Sequence, residues 1–320
     1  MKAIRVYEPG EPSVMKLEDV QDPAGTAGQA IVRIRAVGVN PVDTYIRAGR
    51  YPVSMGYPYT PGSDATGEIE WVDPEINSWQ VGDRVFLDGI PSGAYAEKIV
   101  CGVNNLKPLP AATSFAQGAA LGVPYGTAYA ALISRAKAQP GDVVLIHGAS
   151  GGVGLAAVQI AKAMGIKVLG TAGTPEGLRL VEEQGVDAVF NHHDPDYRQE
   201  IWGYNCGRGP DVILEMLANI NLANDLQLLA PKGRVVIIGS RGEITINPRD
   251  AMSKDLSIIG MQLRNASPEE AAEFHEFLAK GLDAGALNPV IRVELPLAEA
   301  PHAHEMVMES GALGKIVLVP

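Results

Sequence analysis

The chain has 320 residues, 46% of them apolar, with a formal net charge of −11 and two cysteines, Cys101 and Cys206. That length suits two domains of about 100–200 residues each, and the apolar share excludes a chain too polar to bury a core. An acidic balance without a basic block argues against nucleic-acid or acidic-membrane binding, and two cysteines without motif spacing argue against a disulfide framework.

The first residues, Met1-Lys2-Ala3-Ile4-Arg5-Val6-Tyr7, read as a strand that starts at once, with no apolar h-region. No stretch approaches the roughly 20 apolar residues of a membrane span, so a soluble cytoplasmic protein is expected. In 31–37, Val32, Ile34 and Ala36 alternate with Arg33 and Arg35, the pattern of a strand with one wet face. Short strands are predicted at 67–71, 84–87 and 94–100, bounded by Pro61-Gly62, Gly82-Asp83 and Pro91-Ser92-Gly93. Such short strands and turns predict a compact, barrel-like domain.

The pattern changes near Leu121. From Asp142, strands at 143–147, 167–171, 188–191, 212–217 and 234–238 alternate with helices at 153–164, 175–184 and 222–229. Val143-Val144-Leu145-Ile146 and Val235-Val236-Ile237-Ile238 are unbroken apolar runs, as expected of strands covered on both faces in a parallel sheet. The pattern fades after 258–263, leaving an amphipathic helix at 269–280 and a last strand at 316–319.

The strongest local signal is His147-Gly148-Ala149-Ser150-Gly151-Gly152-Val153-Gly154, between a buried strand and a helix. Gly151 lets backbone approach a pyrophosphate, Gly154 lets the helix pack close to the sheet, and the helix-start N–H groups face the anion. Ala149 stands where G-x-G-x-x-G has its first glycine, so this is a variant fingerprint. An NAD site places Asp or Glu about 20 residues on, to hold the ribose 2′-OH. Here Val168-Leu169-Gly170-Thr171-Ala172-Gly173-Thr174 brings no acid before Glu176, which favours NADP. His192 and His193, ending the third strand of this series, are either donors to the 2′-phosphate or a solvated turn.

These residues identify a family. The chain resembles the zinc-independent, zeta-crystallin-like quinone oxidoreductases of the medium-chain dehydrogenase/reductase superfamily. The resemblance rests on Gly38-Val39-Asn40-Pro41-Val42-Asp43-Thr44-Tyr45, Pro61-Gly62-Ser63-Asp64, Gly82-Asp83-Arg84-Val85 and the glycine-rich turn. It continues through Phe190-Asn191-His192, Glu215-Met216-Leu217-Ala218-Asn219 and Ile246-Asn247-Pro248-Arg249-Asp250. It implies an α/β chain with a GroES-like β-rich catalytic domain (1–122 and 266–320) and a doubly wound, parallel-sheet Rossmann domain (123–265), with NADPH in the cleft between them. It further implies that Ser150, Gly151, Gly152, Val153, Gly154 and Gly173 line the cofactor and that His192 lies beside the 2′-phosphate. Asn221, Gly239, Ser240 and Arg241 would flank the nicotinamide half, Met261, Gln262 and Leu263 would close that side, and Asn40 and Tyr45 would face the ring. A homodimer or homotetramer is implied by the resemblance alone.

Relatives that oxidise alcohols hold catalytic zinc with Cys, His and Cys. The corresponding positions here are Asn40, Ser63 and Leu121, none of them a good zinc ligand, and a four-cysteine structural site is impossible with two cysteines. His302 and His304 are expected at the surface, and no metal is expected. A quinone accepts hydride without Lewis-acid activation, so orientation and hydrogen bonds to the developing oxyanion remain for the protein, with Asn40 and Tyr45 as donors. The residue-level alternatives are a turn role for Asn40 and a packing role for Tyr45. Tyr45, Tyr51 and Tyr125 are expected to shape the pocket. The rival activities are reduction of an α,β-unsaturated carbonyl, and a crystallin-like structural or RNA-binding role with retained cofactor.

Overall fold

The computed structural model describes residues 1–51 and 56–320. The chain forms two compact units: Met1–Val123 with Pro289–Glu309 and Gly314–Pro320, and Pro124–Asn288 with Ser310–Leu313. In chain order the first unit supplies β1 (Lys2–Arg5), β2 (Lys16–Asp19), β3 (Gln29–Gly38), β4 (Asp64–Val72), β5 (Arg84–Leu87), β6 (Lys98–Gly102) and β7 (Leu106–Pro108). The second contributes β8 (Val143–Ile146), β9 (Lys167–Ala172), β10 (Ala188–Asn191), β11 (Val212–Glu215), β12 (Arg234–Ile237) and β13 (Ser257–Gly260). The chain then returns to the first unit with β14 (Ile291–Pro296) and β15 (Lys315–Val319).

The first unit is built on β3. Ala30, Val32, Ile34 and Ala36 point inward, while Arg33 and Arg35 face solvent and pair with Glu70 at 2.9 Å and Glu68 at 2.6 Å. Exposed pairs of this kind contribute little to stability; the alternation itself fixes which face is buried. β3 pairs with β4, β6 and β15, in a sheet ordered β14-β15-β3-β4-β5-β7. Ile4, Val32, Ile69, Leu87 and Ile99 join in its core, together with fully buried Tyr95 and buried Tyr59.

The second unit is a parallel sheet in the order β10-β9-β8-β11-β12-β13, with helices between successive strands. Val144, Leu145 and Ile146 of β8 and Val235 and Val236 of β12 have no exposed surface, because helices cover both faces. The direction of strand order reverses between β8 and β11, which makes the carboxyl ends of those strands the expected ligand crevice of such a sheet.

One boundary differs from expectation. Residues 266–288, assigned above with the β-rich domain, belong to the second unit. The helix Pro268–Asp283 buries Phe274 and Leu278, and Tyr129 packs on Phe274 and Phe277 with ring centroids 5.6 and 5.3 Å apart. Its apolar stripe therefore completes that unit's core. No helix among the described residues is long and apolar enough to cross a membrane.

Candidate functional site

The glycine-rich turn joins β8 to the helix Gly152–Ala163, whose N-cap, Gly151, has no side chain to satisfy the first-turn N–H groups. Those donors stay open to an anion. Ala149 is fully buried and its N–H donates to Thr171 O at 2.8 Å, tying the turn to β9. An added Cβ at Gly154 would lie 2.4 Å from Gly148 O, so only glycine lets the helix come this close. At Gly151 an added Cβ would meet only Gly148 O at 3.5 Å and Ala312 Cβ at 3.6 Å, ordinary contacts. The protein thus has room for a Cβ at Gly151, with Ala312 in contact beyond it. Ser150 is buried, and Gly152 and Val153 are half-buried at the helix start.

β9 ends in Ala172-Gly173-Thr174. Thr174 Oγ1 accepts from Gly177 N at 3.0 Å and starts the next helix, while Glu176 pairs outward with Arg179 at 3.1 Å. At the end of β10, His192 and His193 are exposed with ring centroids 4.5 Å apart. They close over Gly173, where a Cβ would lie 2.5 Å from His192 Nε2 and 2.8 Å from His193 Nε2. Partial desolvation, then the neighbouring His193 and His147, lower the pKa of His192.

The remaining predicted residues end β11, β12 and β13. Asn221 Nδ2 donates to Glu215 Oε1 at 3.3 Å. Gly239 O accepts from Ala218 N at 2.9 Å, Ser240 Oγ donates to Gly242 O at 2.9 Å, and Arg241 N donates to Asn219 Oδ1 at 2.8 Å. Met261 N donates to Ile237 O at 3.1 Å, and Gln262 leads into a short turn at Leu263–Asn265. The residues that the second unit was expected to bring to a dinucleotide thus stand at or just beyond the carboxyl edge of one sheet, on both sides of its switch point.

Sequence reasoning missed a buried cluster there. His147 follows β8, Glu215 ends β11, and Asp225 lies on the helix Ala218–Leu228; their exposures are 4%, 0% and 1%. His147 Nε2 is 2.9 Å from Asp225 Oδ1 and 3.8 Å from Glu215 Oε2. The available signal was a carboxylate closing the apolar run Val212-Ile213-Leu214, beside a histidine closing the neighbouring strand.

In the first unit, Asn40 is 3% exposed and its amide is engaged at both ends. Nδ2 donates to Asp64 Oδ2 at 2.9 Å, and Oδ1 accepts from Lys315 Nζ, which also lies 3.2 Å from Asp64 Oδ2. The Asn40 N–H donates to Asp43 Oδ2 at 2.9 Å, fixing the start of the helix Pro41–Arg47. Burial, opposed first by that N–H, raises the Asp43 pKa to about 7. Tyr45 is half-buried on this helix; Ser63 is half-buried and Leu121 has no exposed surface.

Two expectations are corrected. His304 is not at the surface: it is 1% exposed, 3.0 Å from Tyr95 Oη and 3.2 Å from Arg47 Nη1. Burial, then Arg47, lowers its pKa to about 3, so it stays neutral. His302 is exposed, because positions two apart on a helix face opposite ways. Tyr125 does not border an open pocket: it is 2% exposed and its hydroxyl donates to Gln159 Oε1 at 2.5 Å, which makes it a core residue of the second unit.

Residues 26–111 match the family described as alcohol dehydrogenase GroES-like domain, and residues 152–280 the family described as zinc-binding dehydrogenase. The chain is 50% identical to the quinone oxidoreductase of Rattus norvegicus over 321 residues, spanning 100% of this chain and 98% of that protein. Its fold is similar to that of the quinone oxidoreductase of Thermus thermophilus, a protein also solved in complex with NADPH. That match has a TM-score of 0.87 and 33% identity, covering 100% of both chains. It is also similar to the CurK enoyl reductase, with a TM-score of 0.90 and 28% identity, covering 99% of this chain and 98% of that one.

Proposed function

Because the chain belongs to the quinone oxidoreductase family of the medium-chain dehydrogenase/reductase superfamily, and is an oxidoreductase taking a nicotinamide cofactor and a small-molecule substrate, we propose that it reduces quinones with NADPH and without a metal. The observation that carries the cofactor choice is the end of β9. No carboxylate stands there to repel a 2′-phosphate, and His192 and His193 close over Gly173 instead. The quinone substrate is supported by the name of the rat relative.

The reduced nicotinamide supplies the hydride. The open N–H groups after Gly151 hold the diphosphate, and His192 donates to the 2′-phosphate. Asn221 and the Gly239–Arg241 turn hold the nicotinamide half. Tyr45 offers its phenol to the substrate oxygen as negative charge develops there. Asn40, with its amide committed to Asp64 and Lys315, acts as a positioning residue for the helix that carries Tyr45. Asn40, Ser63 and Leu121 stand where zinc-dependent relatives have ligands, and an electron-poor quinone needs no Lewis acid. Solvent supplies the proton.

The similarity to an enoyl reductase favours a second reading, in which hydride goes to the β-carbon of an enone and Tyr45 meets the enolate oxygen. Product analysis with an enone separates the two. An exposed edge at β13, where Ile258 is 40% exposed, supports self-association into a homodimer or homotetramer, which light scattering would measure.

The deciding assay is the initial rate of NADPH oxidation with an ortho-quinone, with and without a chelator, and with NADH in parallel. Turnover with NADPH, little with NADH and no chelator effect is the expected result. Loss of turnover with chelator would overturn the metal-free reading. His192→Glu should weaken NADPH at least about tenfold more than NADH, a difference of about 1.4 kcal/mol; equal losses would remove His192 from the phosphate site.

A further inference from the structure

The sheet's switch point holds more than glycines. Glu215 Oε2 and Asp225 Oδ2 are both buried and have no hydrogen-bond donor among the described residues. A carboxylate oxygen of each lies within 4.8 Å of one of the other's. Each carboxylate is held by donors on its other oxygen, but two such oxygens, close together and out of water with no donor of their own, disfavour two full negative charges.

We propose that Glu215 and Asp225 share one buried proton, and that the His147–Asp225–Glu215 cluster is a proton-dependent positioning device for both halves of the cofactor site. This rests on the nicotinamide-cofactor reading above. The cluster reaches the site along two short paths. Glu215 Oε1 accepts from Leu217 N and from Asn221 Nδ2, on the side expected for the nicotinamide half. His147 Nδ1 is 3.3 Å from Thr171 Oγ1, which accepts from Gly148 N at 3.2 Å, so the same cluster braces the glycine-rich turn.

The charges around the cluster support a titration near neutrality. Burial, opposed by His147 and reinforced by Asp225, raises the Glu215 pKa to about 7. For His147, burial works downward and is outweighed by Asp225 and Glu215, so its pKa rises. Tyr197, facing from the helix Tyr197–Tyr204, has its pKa raised by burial and, more weakly, by Asp225 and Glu215. His192 also feels His147.

A divalent cation is the other species that His, Asp and Glu could neutralise together, since their ligand atoms lie within 4.8 Å of one another. The 2.9 Å contact between His147 Nε2 and Asp225 Oδ1 is a direct hydrogen bond, which a cation between these atoms would break. When the shared proton leaves, a second negative charge appears at the sheet edge that must accept a diphosphate. Glu215 and Asp225 then repel, and the brackets on Leu217 and Asn221 loosen.

The test measures the affinity of the full-length protein for NADPH and for NADH across pH, with wild type, Glu215→Gln and Asp225→Asn. Each variant amide donates to the opposite carboxylate and keeps an acceptor for its other partners, so each mimics the protonated cluster. NADH lacks the 2′-phosphate and so separates this effect from titration of His192. Wild-type affinity for NADH should fall about tenfold between about pH 6.5 and 8.5, and the variants should change less than about twofold. Infrared spectra of the cofactor-free protein at mildly acidic pH should show, beside the protonated-carboxyl band of Asp43 that all three proteins share, a second protonated-carboxyl stretch that both variants lose.

Absence of that stretch, a stretch unchanged in the variants, or one equivalent of tightly held metal in the purified protein would overturn the shared proton. A wild-type affinity that does not change with pH would overturn the positioning role. Failure to bind either nucleotide at any pH would defeat the cofactor reading and the positioning role together, while the infrared result would still decide the proton.

Discussion

At Gly151 the protein leaves room for a side chain, but a bound dinucleotide would not. The ordinary contacts that a Cβ would make, at 3.5 and 3.6 Å, predict that Gly151→Val still folds, which its thermal unfolding would show. Its isopropyl group should still block the diphosphate, weakening NADPH at least about 100-fold, or about 2.7 kcal/mol, by titration calorimetry. Normal binding by a folded variant would remove the turn from the cofactor site. The sequence made this residue legible because its signal is local: strand, glycines and helix follow one another without a gap. Asn40 shows the opposite case. Its type and turn position were readable, but the Lys315 ammonium that occupies its carbonyl oxygen comes from 275 residues away. A free amide donor was the natural expectation, but Asp64 takes that donor, and Lys315 takes the acceptor. His304 was misjudged for the same reason, because Tyr95 lies 209 residues away.

The element scale shows what that remote lysine requires. Lys315 opens β15, and its side chain runs beside Gly38 at the end of β3, where a Cβ would lie 2.6 Å from Lys315 Cε. Asp64, which opens β4, receives the ammonium at 3.2 Å and the Val123 N–H at 2.8 Å. Three strand ends thus converge on one buried ion pair, both members of which are at most 4% exposed. Removing one partner leaves a buried charge uncompensated, so Lys315→Met should destabilise the first unit by about 3–5 kcal/mol in denaturant unfolding. The double variant Lys315→Met with Asp64→Leu should recover much of that loss; no recovery would mean that the pair is not what the lysine serves. Unbroken apolar runs made β8 and β12 legible as buried parallel strands. The helix Pro268–Asp283 was legible as an amphipathic helix, but its allegiance was not, since periodicity gives a face without saying what covers it.

Across the whole molecule, each unit buries one carboxyl group whose pKa rises to about 7: Asp43 in the first, Glu215 in the second. Their ordinary values are 3.8 and 4.5. Between those values and about 7, these two groups bind more protons folded than unfolded and outweigh His304, which binds fewer below about 6.5, so stability falls as pH rises and levels off above. Calorimetric midpoints should therefore drop from about pH 5 to about pH 7.5. Asp43→Asn should flatten that slope for the first unit and Glu215→Gln for the second; a wild type whose stability rises over this range would contradict both assignments.

The position of β15 has a consequence in time as well as in space. This strand lies between β14 and β3, in the interior of its sheet, although it comes after every other strand in the chain. During synthesis, the second unit's six strands are all complete before β15 emerges from the ribosome. The inserted unit can fold early, while the end of β3 at Val37 and Gly38, which β6 does not reach, waits unpaired on one side, and an open edge of this kind invites wrong partners. A nascent chain stalled just before Lys315 should thus carry a protease-resistant inserted unit and a protease-sensitive β-rich one, with protection of the latter arriving only with the last strand.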